Sequence, residues 1–152
     1  MQHTGRRSEH SARKKPETGD QHKKGSNWID IIWASFENAF VNAELYRALV
    51  LWSDIEKQLG NPQKAVYYGD YAEKLKLSFN KPTSKGGFWD EGKQCYIHWR
   101  ERDNSIHGNN LVTPVNFMAI TYQICDDQAR VKNILDQVEV QMQKENLFFW
   151  PI

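Results

Sequence analysis

The sequence predicts a mainly α-helical fold of antiparallel αα-hairpins with one short β-hairpin between them. Three observations predict it. Apolar residues recur three and four apart over two long stretches joined at Gly60-Asn61-Pro62. A second pair of periodic stretches follows residue 112, again with a connection of two or three residues, the mark of an αα-hairpin. Between the pairs, aromatic and β-branched residues flank the turn signal Asp90-Glu91-Gly92.

The elements follow in chain order. Residues 1–26 hold seven Lys/Arg against three Asp/Glu and no Phe, Trp or Tyr, a net charge of +4. Such a stretch buries too little apolar surface to offset its ordering entropy, so it reads as a disordered basic tail or leader. It lacks the interleaved aromatics on which bases stack, so nucleic acid is not its expected partner. The body, 27–152, carries −3 and all six Trp, six Tyr and seven Phe. No run approaches the ~18 apolar residues of a membrane span, so a soluble protein without membrane contact is expected.

The first helix is expected from Asn38 to Leu59. Phe40, Val41, Leu45, Leu49, Trp52, Ile55 and Leu59 form its apolar stripe, and Gly60 ends it. Asn61 caps a second helix with Pro62 in its first turn, running to Phe79. Phe88 to Trp99 reads as the β-hairpin, and Arg100 to Asn110 as polar and irregular. Thr113-Pro114 opens a third helix, to Ile124. Asp126-Asp127 restart a fourth, with Val131, Ile134, Leu135, Val138 and Met142 on one face. The chain closes on the apolar run 147–152, which either docks on the body or marks a domain cut part-way. Cys95 and Cys125 lack a CxxC partner and read as buried free thiols, which favours a reducing, cytoplasmic setting.

Within this layout, several strings resemble the six-hairpin (α/α)6-toroid glycosidases, and most of all the glycogen-debranching and processing-glucosidase type of domain. Asn27-Trp28-Ile29-Asp30 precedes the helix string Asn42-Ala43-Glu44-Leu45-Tyr46-Arg47-Ala48-Leu49. Ser78-Phe79-Asn80 ends the next helix, Phe88-Trp89-Asp90-Glu91-Gly92 opens the hairpin, and His107-Gly108-Asn109-Asn110-Leu111 leads into the third helix. The resemblance implies a partial α/α-toroid domain over 27–152, because two helix pairs are too few to close a ring. It implies the remainder of the toroid as partner and a second catalytic carboxylate beyond Ile152.

The implied activity is hydrolysis of α-linked glucose-type or related sugars with inversion, using two carboxyl groups roughly 6.5–9.5 Å apart. Asp30 is the candidate general acid. Its neighbours Trp28, Ile29, Ile31, Ile32 and Trp33 disfavour the carboxylate and so favour the proton-bearing form. Substrate-binding candidates are Trp28, Trp33, Trp89 and Trp99, whose flat faces suit sugar C–H surfaces. Asp103, Asn104, His107 and Asn110 add donors and acceptors for hydroxyls. Trp52 reads as core. No cofactor is implied, and His98 with His107 does not make a metal site. The competing expectation is a non-catalytic helical module that binds protein or sugar.

Overall fold

In the computed structural model, residues 21–22 and 36–148 are described. Asp30, Trp28 and Trp33 lie outside the described residues, as do 1–20, 23–35 and 149–152. The element order is β1 Gln21–His22, β2 Phe36–Asn38, α1 Ala39–Gln58 and α2 Pro62–Phe79. One 3-10 turn, Thr83–Lys85, leads to β3 Trp89–Asp90 and β4 Cys95–Tyr96. Then come β5 Trp99–Arg100, β6 Ile106–His107, α3 Thr113–Thr121 and α4 Gln128–Glu145. The molecule is mainly helical, with small antiparallel sheets.

Local chemistry places the helix ends. The Asn38 side chain accepts from the Val41 N–H at 3.3 Å and so caps α1. Gly60, at φ +77°, turns the chain between α1 and α2. Asp127 accepts from the Ala129 and Arg130 N–H groups and caps α4. The third helix differs from its predicted bounds. Its N-cap is Val112, with Thr113 already helical, and it ends at Thr121. Gln123, at φ +62°, turns the chain before Cys125.

The predicted stripe of α1 is rotated. The buried positions are Ala39, Phe40, Asn42, Ala43, Tyr46, Leu49 and Glu56. Trp52 is 49 % exposed and Leu59 70 %, so Trp52 is not core. The reason is close packing of small residues between α1 and α2. Ser53 Oγ donates to the Ala65 carbonyl at 2.7 Å, and a Cβ on Gly69 would sit 3.4 Å from that oxygen. Bulky Trp52 and Ile55 flank this contact instead of filling it, and Trp52 meets Tyr68 edge-on. The core collects Leu75 and Phe79 of α2 with Phe88, Tyr96, Val115 and Ile134, all fully buried.

The sheets depart furthest from expectation. Trp89 and Asp90 pair with Tyr96 and Cys95, so the predicted hairpin holds only at its turn end. At His98 the strand changes partner, its N–H donating to the His107 carbonyl at 2.9 Å. Trp99 and Arg100 then pair with Asn38 and Glu37 on one side and with His107 and Ile106 on the other. The stretch expected to be irregular therefore contains a second hairpin, β5–β6. Gly108 permits the switch, because a Cβ there would lie 2.4 Å from the His98 Cβ. Gln21 and His22, inside the predicted disordered tail, pair with Glu37 and Phe36, giving the strand order β1-β2-β5-β6.

Candidate functional site

Register decides which side chains share a face. Asn38 is directly opposite Trp99, and Trp99 directly opposite His107. Opposed residues of antiparallel strands project to the same side with Cβ atoms about 5 Å apart. Three strands thus set Asn38, Trp99 and His107 in one row. The Trp99 and His107 rings stack, with centroids 4.9 Å apart and planes 11° from parallel. His98 meets the Trp99 ring edge-on at 5.0 Å. His107 is exposed and forms the outer leaf of the stack.

Two donors on this row are unspent. Among the described residues, the Trp99 indole N–H and the Asn38 Nδ2 are both buried without a hydrogen-bond partner, as are His98 Nε2 and Arg100 Nε on the other face. The other atom of the Asn38 amide is engaged in the α1 cap, and its backbone carbonyl accepts from Asn42 Nδ2 at 2.7 Å. A buried donor without an acceptor costs free energy, so two on one face are a departure from ordinary packing.

The opposite face of the same strands is a structural clamp. Glu37 and Arg100 are buried and 3.6 Å apart. Arg100 Nη2 donates to the Thr83 carbonyl at 3.1 Å and to the Gly87 carbonyl at 2.5 Å, tying the 3-10 turn to the sheet. Burial lowers the Arg100 pKa, with Glu37 acting in the opposite direction. His98 is also buried, with no hydrogen bond at Nε2, and burial lowers its pKa.

The remaining candidates are scattered. Trp89 is 3 % exposed, packed against Tyr96 with the Arg130 guanidinium 4.4 Å over its ring. It is core and offers no sugar platform, because its ring is already covered. Asp103 is exposed and accepts from both the N–H and the Oγ of Ser105, a turn-forming contact that lowers its pKa. Asn104, at φ +69°, lines a depression of about 460 Å³ with Thr83, Ser84, Gly86, Arg100 and Ile106. Asn110 lies elsewhere, on a groove of about 680 Å³ between α4 and Cys95. The structure brings together Trp99 and His107 and adds Asn38, which the sequence reading passed over as a helix start. Its signal was the Asn itself, whose amide exceeds what a cap requires.

Asp90, the other turn acid, accepts from the Gly92 and Lys93 N–H groups at 2.9 and 3.0 Å. Both cysteines are free and buried, and burial raises both thiol pKa values. Among the described residues, no group of three or more His, Cys, Asp or Glu could hold a metal ion. No helix among them is long and apolar enough to cross a membrane. No protein-family model, curated protein or solved structure matches the chain.

Proposed function

We propose that the chain contributes a sugar-binding face to a glycoside-cleaving α/α-hairpin domain. In this reading it acts on α-linked glucose-type or related sugars. The observation that carries the reading is the Trp99–His107 ring stack, whose His107 side is exposed. Rings accept the C–H face of a sugar, and N–H groups hold its oxygens. Asp30 serves as general acid, donating its proton to the leaving oxygen, while a second carboxylate activates water for inversion. Further support is the element order, a helix pair, strand pairs and a second helix pair, which is the order the resemblance implies.

Hydrolysis of malto-oligosaccharides and aryl α-glucosides tests it. The parent protein releases glucose-type product, and Asp30→Asn lowers the rate at least a hundredfold. Activity that survives Asp30→Asn removes Asp30 from the role of acid.

A second reading, sugar binding without hydrolysis, is favoured by one set of contacts. Glu37 is paired with Arg100, and Asp90 and Asp103 are engaged in their own turns. This reading predicts sugar affinity that is indifferent to Asp30→Asn.

A further inference from the structure

The buried Arg100 guanidinium has more N–H groups than the fold receives. Its Nη2 donates to the Thr83 carbonyl at 3.1 Å and to the Gly87 carbonyl at 2.5 Å. Its Nε is sealed in beside Glu37, 3.6 Å away, without a hydrogen bond. Nη1 has no partner among the described residues, yet it is not closed off from solvent as Nε is. The two carbonyls fix the plane of the group, so Nη1 keeps one direction.

Arg100 also lines the depression of about 460 Å³, together with Thr83, Ser84, Gly86, Asn104 and Ile106. The lining comes from the 3-10 turn and from the β5–β6 hairpin, which Arg100 Nη2 ties together. The hydroxyls of Thr83 and Ser84 and the amide of Asn104 supply further donors. No acid is part of the lining. Asp103, next to Asn104, is turned onto the N–H and Oγ of Ser105. Lys85, exposed on the 3-10 turn, adds a positive charge to it. Hydroxyl and amide donors beside a fixed cation suit an anion. A carboxylate pairs best with two parallel N–H groups of one guanidinium, and here Nη2 is already spent. A phosphate group presents oxygens in several directions, so it can meet Nη1, a hydroxyl and the Asn104 amide together.

We propose that Arg100, Thr83, Ser84 and Asn104 form a binding site for the phosphate group of a small ligand. The site is on the Arg100 face of the strands, away from the Trp99–His107 stack, and it does not depend on the sugar reading. Glu37 limits its strength, because the carboxylate already offsets part of the Arg100 charge.

The test uses the full chain, inorganic phosphate as probe, acetate as the carboxylate comparison, calorimetry for affinity and circular dichroism for melting. Ser84 is exposed, so Ser84→Ala is expected to melt within about 2 °C of the parent. It is expected to bind phosphate about tenfold more weakly. Asn104→Gly suits the φ of +69° and removes the amide, with a similar loss of affinity expected. Glu37→Gln removes the offsetting charge and is expected to tighten phosphate roughly threefold, a gain that a purely structural clamp does not give. Should Glu37→Gln fail to fold, Ser84→Ala and Asn104→Gly decide. Unchanged phosphate affinity in those two folded variants overturns the site and assigns the binding to another part of the chain. A parent that binds no phosphate, or binds acetate more tightly, overturns it as well. Each of these outcomes leaves the sugar reading standing.

Discussion

His98 shows how burial at a single residue becomes a pH response. It is 1 % exposed and its Nε2 has no hydrogen bond, so burial holds its pKa below the ordinary value of 6.5. The folded chain therefore resists a proton that the unfolded chain accepts. Stability from this group is complete above about pH 6.5, and it falls as the pH drops from there toward the depressed folded value. Urea unfolding should show a loss of stability on going from pH 7.5 to 5 that is smaller in His98→Gln. Equal losses in both proteins would assign the drop to other groups. Arg100 stands two residues on, also buried; its Nη2 donates to the carbonyls of Thr83 and Gly87, and its Nε lies 3.6 Å from Glu37 without a hydrogen bond.

Between elements, Asn80 at the end of α2 is the principal polar joint. Its Oδ1 accepts from the Tyr96 hydroxyl at 2.5 Å and from Arg130 Nη1 at 3.3 Å. Its Nδ2 donates to the Ile124 carbonyl at 2.7 Å. One side chain thus ties α2 to β4, to α4 and to the end of the α3 segment. Burial pushes the Tyr96 phenol above its ordinary pKa, so it stays a donor. Asn80→Ala strands a phenol and a carbonyl, and chemical denaturation should report a loss of roughly 2–4 kcal/mol. Asp126→Asn, which breaks the 2.6 Å pair with Lys76 where Asp126 is 67 % exposed, should cost less than about 1 kcal/mol. A larger loss from Asp126→Asn than from Asn80→Ala would reverse this ranking.

The helix pairs were legible because their punctuation is local: Asn38, Gly60, Pro62 and Asp127 act on residues within one turn, although the Asn61 side chain does not cap α2 and its Nδ2 donates to Glu56 at 2.8 Å instead. The β5–β6 hairpin was not. Two-residue strands offer no period to read, and their pairing with Phe36–Asn38 spans some sixty residues. The α1 stripe misled at Trp52, because apolar spacing cannot reveal that Ser53, Ala65 and Gly69 bring the helices too close for an indole.

For the molecule as a whole, helix pairs form the body and the strands set the candidate site at its edge. The four-stranded sheet draws together residues from three parts of the sequence, at 21–22, at 36–38 and in the hairpin 99–107. That assembly explains why Trp99 and His107 could be named in advance while their meeting could not. The same sheet segregates function by face, with the Glu37–Arg100 clamp on one side and the Asn38–Trp99–His107 row on the other. The two depressions near Asn104 and Asn110 lie apart from that row, so maltotriose can be offered each of them as well. A crystal structure of the full chain soaked in maltotriose distinguishes them directly. A sugar ring packed on the exposed His107 side of the Trp99–His107 stack is the expected result. Maltotriose seated only in the α4 groove, or nowhere on the protein, contradicts it.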